Sequence, residues 1–485
     1  MTSVRLEAPL RIVIGLGAVF AVAVAACGND DDAAPPAAAT EAPQPAETPA
    51  PSETPHDQPA AGATPVQEAS GESGSAQPAP ETPEEPPPVP LTASYRGVTE
   101  NSIKIGVLLN DQEAILALGI DLKLGDVEAH FQTRIDELNA RGGVLGRRID
   151  AVYEYFSPVS NASAEAACVK LAEDEEVFMV LGQQRFANNA LCYTSLYDIP
   201  FLGTPGILLR EDWEQSELPM VSIETAPWRL VNAVYAAMEA EEAIEGGVIG
   251  VFASSPEELD PVREGLLERG ASRVVSAVRS ASESDMVALG GEIDLQIERF
   301  RADGVTAVVN LGNSVAVLGG FARNGYAVPY YVITPDVLVD FVKDQGATDD
   351  ELRLARAVLP PDVSDLYVQG HEPTVQCVND WNAARPDETA IPHAGDDAEF
   401  LNILSVARAC LHIDLLETSL LAGGTELTTA SWASGLDEIG SFEGPTAPAA
   451  SVSSTKWDVN DTAVLYTWDE ETQTVAYDRL LDMAG

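Results

Sequence analysis

Ile-Lys-Ile-Gly-Val-Leu-Leu at residues 103–109 is an apolar run of strand length, and it ends at the polar loop Asn-Asp-Gln at 110–112. A helical pattern follows from about residue 125, with Val127, Phe131, Ile135 and Leu138 along one face. The pattern stops at Gly-Gly at 142–143, because glycine suits the left-handed position past a helix end. Residues 144–155 then read as a turn and a second strand, so 102–155 predicts one βαβ unit with a right-handed crossover.

The remainder of the chain repeats this alternation of strand-like and helical patterns. Apolar runs at 177–181, 199–203, 247–253, 274–278, 307–309 and 329–334 are separated by helical patterns. Such alternation predicts an α/β fold with parallel, doubly wound sheets. Ligands bind beyond the carboxyl ends of such strands, so the loops at 110–112, 182–185 and 204–206 are predicted to converge.

Three segments resemble a known family. They are Ile-Gly-Val-Leu-Leu at 105–109, Leu-Asn-Ala-Arg-Gly-Gly-Val-Leu-Gly-Arg-Arg-Ile at 138–149 and Gly-Phe-Ala-Arg-Asn-Gly at 320–325. They are similar to type I periplasmic binding proteins of the branched-chain amino-acid kind, the substrate-binding components of ABC importers. The resemblance covers roughly residues 100–485 and implies two similar doubly wound (Rossmann-like) lobes joined by three crossovers.

The resemblance also implies where the chain passes between the lobes. Residues 221–228 look like the first crossover, and returns are expected near His371 and Pro445. We therefore expect a first lobe made of 96–225 plus 372–445. The second lobe would comprise 226–371 plus 446–485, with the apolar tail at 464–468 in it.

The N-terminal residues 1–27 predict a lipoprotein signal peptide. Arg5 and Arg11 precede an apolar run at 12–26, which is short for a membrane span and suits a secretory signal. Val-Ala-Ala-Cys at 24–27 resembles the lipobox of bacterial lipoproteins, in which the cysteine carries the lipid. The alternative is an ordinary signal with a chance cysteine. We expect lipidation of Cys27, which would anchor the protein to the outer face of the cell membrane.

Residues 28–95 predict a disordered linker, because they are rich in Pro, Ala and Glu and nearly devoid of large apolar residues. Such a chain acts as a semi-rigid spacer. The whole sequence has 27 Lys and Arg against 77 Asp and Glu. This balance argues against nucleic acid and anionic lipid surfaces as partners, since both attract basic patches. A salty habitat and simple solubility both fit the acidity.

Four cysteines remain besides Cys27. In an exported chain an even number suggests two disulfides, for which three connectivities are possible. The resemblance implies a bridge between Cys168 and Cys192, on successive helices that flank one strand, and Cys377 and Cys410 would lie on neighbouring helices. A metal site is disfavoured, because no Cys-x-x-Cys occurs and the five histidines are scattered.

Enzymatic motifs are missing from the sequence. It has no G-x-S-x-G elbow, no H-E-x-x-H helix and no G-x-x-x-x-G-K-S/T loop, so we expect neither catalysis nor a cofactor. Asp396 and Asp397, which follow His393, read as helix caps rather than metal ligands.

The remaining interpretation is a ligand-binding cleft, because backbone N–H groups at strand-end loops and helix starts can bind a carboxylate. The ligand-binding candidates are Asn110, Asp111, Gln183, Gln184, Arg185, Thr204, Gly206, Trp228, Ser254, Ser255, Asn313 and Asp336. Each of three candidates also has a structural interpretation. Arg185 would fit a surface position, Thr204 a turn and Trp228 a position that fills the hinge. Amino-acid binders of the family place an acid in the second lobe, but the corresponding loop at 310–314 is uncharged, with Glu257 or Asp336 as substitutes.

The sequence therefore predicts a surface lipoprotein that captures a small molecule and delivers it to an ABC permease. A branched-chain amino acid, an amide, a urea-like solute or another small organic compound would fit. A sensory ligand-binding protein of the same fold is the alternative. An α/β enzyme is disfavoured by the missing motifs.

Overall fold

The computed structural model describes residues 91–116, 124–158, 160–183, 190–204, 210–253, 255–280, 286–311, 314–333, 348–392, 401–471 and 474–483. The predicted signal peptide, the linker up to residue 90 and Cys27 lie outside the described residues. The linker was expected to extend to residue 95, but residues 91–95 already contact the folded part: the Ser94 hydroxyl donates a hydrogen bond to the Leu427 carbonyl (2.7 Å).

The first sheet has five parallel strands in the order β2-β1-β3-β4-β5. They are β1 Ser102–Asn110, β2 Arg148–Phe156, β3 Met179–Gln183, β4 Phe201–Thr204 and β5 Met220–Ser222. The helices around it are α1 Gln112–Leu116, α2 Val127–Ala140, α3 Asn161–Val169 and α4 Arg210–Glu214, with π-helical turns at Lys170–Asp174 and Cys192–Leu196. The predicted βαβ unit is therefore confirmed as β1, α2 and β2.

Strand β1 lies inside this sheet, between β2 and β3, and both of its faces are covered. Alternate side chains of a strand point to opposite faces. Ile105 and Val107 pack in one cluster with Phe131 of α2, while Leu108 packs in another cluster with Cys168 of α3. Burial on both faces explains why the sequence of β1 is almost continuously apolar.

The turn between α2 and β2 requires glycine. Gly142 and Gly143 have φ angles of 107° and 67°. A β-carbon on Gly143 would lie 2.0 Å from the Arg147 carbonyl oxygen, so no other residue fits without moving the backbone. The Gly-Gly pair thus brings the chain directly from the end of α2 into β2.

The second sheet begins with five parallel strands, β6 Val248–Ala253, β7 Arg273–Val278, β8 Ala307–Asn310, β9 Tyr330–Val332 and β10 Ala355–Leu359. Helix α5 Pro227–Ala240 precedes them, and the helices between them are α6 Pro256–Glu268, α7 Met286–Asp303, α8 Ser314–Asn324 and α9 Asp349–Leu352. Phe252 packs with Phe300 on one face of the sheet, and Val251 packs with Val234 and Leu266 on the other. The second sheet thus has the same doubly wound arrangement as the first.

The chain then returns to the first sheet. This segment contains α10 Val363–Val368, α11 Glu372–Ala384, β11 Ala390–Ile391, β12 Leu401–Asn402, α12 Ile403–Gly423, α13 Thr429–Ile439, β13 Ser441–Gly444 and β14 Ala447–Ser451. Helix α12 joins the core of the first sheet through Leu411 and Leu415, and α13 through Trp432. The core of the first sheet is therefore built from two distant parts of the sequence.

The C-terminal strands complete the second sheet. Strand β15 Thr462–Asp469 pairs antiparallel with β10, and β16 Thr474–Asp482 pairs antiparallel with β15. The full order is β16-β15-β10-β9-β8-β6-β7. The fold is therefore mixed α/β with two doubly wound lobes.

Two disulfides are formed. Cys168 at the end of α3 is bonded to Cys192, with 6.5 Å between the Cα atoms, and Cys377 of α11 is bonded to Cys410 of α12, with 6.3 Å between them. Each closes a loop of moderate length and contributes about 3 kcal/mol to stability in the chain-entropy model.

Candidate ligand-binding cleft

The carboxyl ends of β1, β3 and β4 meet at one edge of the first sheet. Asn110, Gln183 and Thr204 end these strands, and Gln183 is the register partner of Thr204. Asn110 and Thr204 are both buried. The structure therefore brings three of the predicted ligand-binding residues to one edge, as parallel pairing requires.

Two glycines bring the strand backbones close together at this edge. Gly182 pairs in register with Gly203. A β-carbon on Gly182 would lie 2.1 Å from the Leu108 carbonyl oxygen, and one on Gly203 would lie 1.9 Å from the Gly182 carbonyl oxygen. The two glycines therefore allow β1, β3 and β4 to approach closely just before β3 and β4 end. The sequence signal was a glycine one residue before each strand end.

Two of the predicted binding residues have local structural roles. The Asp111 carboxylate accepts hydrogen bonds from the backbone N–H groups of Glu113 (3.0 Å) and Ala114 (3.3 Å), at the start of α1. The Ser255 hydroxyl accepts one from the Glu258 N–H (3.3 Å) and caps α6. These contacts orient the two helices that begin at the carboxyl ends of β1 and β6.

Several other predicted positions lie outside the described residues. These are Gln184, Arg185, Gly206, Ser254, Asn313 and Asp336. Asn310, which ends β8 and precedes the uncharged loop, is fully buried.

Arg279 is a buried cation at the edge of the second sheet that sequence reasoning missed. It follows β7, and its backbone N–H donates to the carbonyl of Ala253, the last residue of β6 (3.0 Å). The only local signal was an arginine directly after an apolar strand.

Trp228 belongs to an aromatic cluster at the first crossover. Its ring packs edge-on against Trp213 (5.2 Å between centroids, 89° between planes). Trp213 stacks on Trp457 at 6.1 Å. Trp457 lies just before β15, so the cluster joins segments on both sides of the crossover. These contacts favour the reading of Trp228 as a hinge plug over the reading as a ligand-stacking residue.

The segments after β5 and before β15 run side by side. The Ser222 N–H donates to the Trp457 carbonyl (2.6 Å), and the Val459 N–H donates to the Ser222 carbonyl (2.9 Å). The Ser222 hydroxyl donates to the Glu224 carbonyl (2.8 Å). Two of the connections between the sheets are thus bonded to each other.

Two acidic and two basic side chains hold these two connections together. The buried Asp458 carboxylate accepts hydrogen bonds from the Ala226 N–H (2.9 Å) and from Arg229 Nη1 (2.6 Å). Asp461 is paired with Arg229 Nη2 (3.0 Å) and with Lys456 Nζ (3.2 Å). Burial lowers the pKa of Lys456. We refer to Arg229, Lys456, Asp458 and Asp461 as the hinge cluster.

A further ion pair lies at the carboxyl edge of the first sheet. Glu224, two residues beyond β5, is paired with Arg408 of α12, 184 positions away in the sequence. The Nδ1–H of His412 donates to the Arg408 carbonyl (2.7 Å). Sequence reasoning missed both members of the pair, because no local pattern links positions so far apart.

The family model for periplasmic binding proteins matches residues 102–473, which include the whole first sheet and every strand of the second sheet except β16. The chain belongs to the periplasmic binding protein family. Members of this family are extracytoplasmic proteins that bind small molecules for ABC transporters. The carboxyl edges of the two sheets are the part of this periplasmic binding protein where such a ligand is expected.

Solved structures share the fold of this periplasmic binding protein. An ABC transporter substrate-binding protein from Desulfitobacterium hafniense has 13% sequence identity and a TM-score of 0.54, covering 78% of this chain and 100% of that chain. The structure of the complex with Leu has 15% sequence identity and a TM-score of 0.52, covering 78% of this chain and 100% of that chain. A solute-binding protein from R. palustris in complex with 4-hydroxybenzoate has 15% sequence identity and a TM-score of 0.50, covering 79% of this chain and 96% of that chain. A search of curated protein sequences finds no match.

Two searches of the described residues were negative. They contain no group of His, Cys, Asp and Glu side chains that could hold a metal ion. They also contain no helix long and apolar enough to cross a membrane.

Proposed function

We propose that this periplasmic binding protein captures a small organic solute between its two lobes and delivers it to an ABC permease. The observation that carries the proposal is the convergence of the ends of β1, β3 and β4 at one edge, in a chain that passes between two sheets through connections bonded to each other. In this proposal the first lobe comprises β1–β5 together with the segment from α10 to β14, and the second comprises β6–β10 together with β15 and β16.

Closure of the two lobes is the proposed mode of capture. A ligand shifts an open–closed equilibrium only if it makes more favourable contacts in the closed state. Strand ends and helix starts on both sheets would supply these contacts. We assign ligand contact in the first lobe to Asn110, Gln183 and Thr204, with the neighbouring loops, and in the second lobe to the loops after β6, β8 and β9. No bond in the solute would be changed.

The solutes named for structural relatives support the class of solute that we propose. The structural relatives include a complex with Leu, a complex with 4-hydroxybenzoate and a leucine binding protein from Thermotoga maritima. We propose an amino acid, an amide or a similar organic solute. A lipid on Cys27 would hold the protein at the outer face of the cell membrane, within reach of the permease.

The test is a panel of amino acids, amides and aromatic acids screened by thermal unfolding of the purified protein. A true ligand should stabilise it by roughly 3–4 kcal/mol at 100–1,000 times the dissociation constant. Small-angle scattering should then give a smaller radius of gyration, and NMR should show the solute unaltered. Thr204→Val should weaken binding, whereas Thr418→Val on the exposed face of α12 serves as the control.

Four results would contradict the proposal. Chemical turnover of the bound solute would indicate an enzyme, and stabilisation without compaction would exclude closure. Uptake of the identified solute by cells that lack this protein would exclude delivery. A solute-dependent change in a membrane kinase or chemoreceptor, without loss of uptake, would indicate sensing.

A further inference from the structure

The ion pair between Arg408 and Glu224 lies where the proposed cleft begins. Glu224 follows the carboxyl end of β5 and belongs to the connection towards the second sheet. The Arg408 side chain is 23% exposed and the Glu224 side chain 47% exposed. The Arg408 side chain as a whole is therefore mostly buried, while that of Glu224 is half in solvent.

Helix α12 brings Arg408 to this edge. The helices α2 and α12 begin together, because the Ser405 hydroxyl donates to the Leu124 carbonyl just before α2 (3.0 Å). About two turns further along, Phe131 of α2 contacts His412 of α12, with 5.2 Å between ring centroids. Helix α2 starts on the carboxyl side of β1, so Arg408, between Ser405 and His412, lies near the same edge.

Arg408 brings a positive charge to this edge. Several other cations of the first sheet lie at its opposite edge: Lys104 is near the start of β1, and Arg147 and Arg148 are at the start of β2. The chain as a whole carries a net charge of −50. A protein this acidic repels a free organic acid at long range, and a local cation offsets this repulsion at the binding site.

We propose that Arg408 binds the carboxylate of the solute, so that the ligand is a small organic acid rather than a neutral amide or urea-like compound. This inference rests on the proposed function. Before binding, Glu224 holds the guanidinium in place. The ligand carboxylate then takes the position of Glu224 and accepts the charge-assisted hydrogen bonds of the guanidinium. Glu224 turns into the solvent that already surrounds half of it.

The experiment compares matched pairs of solutes on three variants of the full chain. The pairs are L-leucine with L-leucinamide and 4-hydroxybenzoate with 4-hydroxybenzamide, and binding is measured by calorimetry at fixed salt. The variants are Arg408→Gln, Glu224→Gln and, as control, Arg210→Gln. Arg210 is also paired with a glutamate, but its side chain is 67% exposed.

We expect the substitutions of Arg408 and Glu224 to change carboxylate affinity in opposite directions. Arg408→Gln should weaken binding of the carboxylate roughly 30-fold or more and leave the amide within about threefold, because only the acid loses a charged partner. Glu224→Gln should strengthen carboxylate binding by about three- to tenfold, because it removes the competing anion. Arg210→Gln should change neither.

Three outcomes would overturn the inference. The first is an equal loss for acid and amide in Arg408→Gln, and the second is a weakening of carboxylate binding in Glu224→Gln, as a purely structural ion pair requires. The third is a wild-type protein that binds the amides and not the acids, which leaves the proposed function intact. If no member of any pair binds, the result counts against the proposed function as well. Should Arg408→Gln fail to fold, Glu224→Gln decides the matter.

Discussion

At the scale of single residues, two buried histidines make the fold sensitive to acid. Burial lowers the pKa of His130 to about 4, and burial also lowers that of His412 to about 4. The pKa of an exposed histidine in the unfolded chain is about 6.5. Because the folded-state pKa is the lower one, this stability is fully present above pH 6.5 and is lost as the pH falls towards 4.

The first prediction concerns His130→Phe. Neither ring nitrogen of His130 has a hydrogen-bond partner among the described residues, and the ring packs edge-on against Trp381 at 4.4 Å. Phenylalanine keeps this packing and removes the titration. Between pH 7 and pH 5 the wild type should lose about 2 kcal/mol more unfolding free energy than the variant, measured by urea denaturation. An unchanged pH dependence would show that His130 is not buried in its neutral form.

The second prediction concerns Asp458 in the hinge cluster. Asp458→Asn keeps the shape of the side chain but leaves Arg229 with one less acidic partner in a buried setting. Removing one partner of a buried pair is strongly destabilising, so we expect a loss of about 3 kcal/mol in denaturant unfolding. Glu214→Gln, which breaks the exposed pair with Arg210, should cost less than about 1 kcal/mol. Equal effects of the two variants would mean that the hinge cluster carries no special stability.

At the scale of elements, the segment 91–96 is fixed to the edge opposite the proposed cleft. The fully buried Arg147 donates from Nη2 to the carbonyls of Thr92 (2.9 Å) and Thr425 (3.0 Å) and from Nε to that of Thr99 (2.8 Å). Arg96 Nη2 donates to the Tyr197 carbonyl (2.6 Å), just before β4. The chain therefore enters the first lobe away from the ends of β1, β3 and β4.

The third prediction follows from this attachment. Arg147→Lys keeps the charge but loses the fork that reaches three carbonyls at once. The free energy of opening the segment 91–96 should fall by roughly 1.4 kcal/mol, so trypsin should cut after Arg96 at least about tenfold faster. The cleavage is followed by mass spectrometry. The linker contains no Lys or Arg before Arg96, so the cut is easily identified. Arg148→Lys, at the exposed neighbouring position, is the control. Equal cleavage rates would contradict the attachment.

The elements that sequence analysis predicted are those with a strong apolar pattern. Strand β1 was predicted because both of its faces are apolar, and helix α2 because its inner face is apolar. Strand β10 was missed: its sequence, Ala-Arg-Ala-Val-Leu, contains good helix formers, and it is a strand because it pairs with β9 on one side and β15 on the other. At the cleft, strand ends were predictable from the parallel order, whereas Glu224 and Arg408 meet only through tertiary packing.

At the scale of the whole molecule, the last prediction concerns attachment to the membrane. The described residues have no helix that could span a membrane, and the proposed anchor is a lipid on Cys27, outside them. Stable anchoring by lipid takes about two acyl chains, so losing the modified residue should release the protein completely. Cys27→Ser should therefore move it from the membrane fraction to the medium or periplasm, as followed by immunoblotting. A variant with both Cys377→Ser and Cys410→Ser, which removes a disulfide and keeps Cys27, should stay with the membrane. Retention of Cys27→Ser in the membrane fraction would refute the lipid anchor and leave the binding function to be judged on its own test.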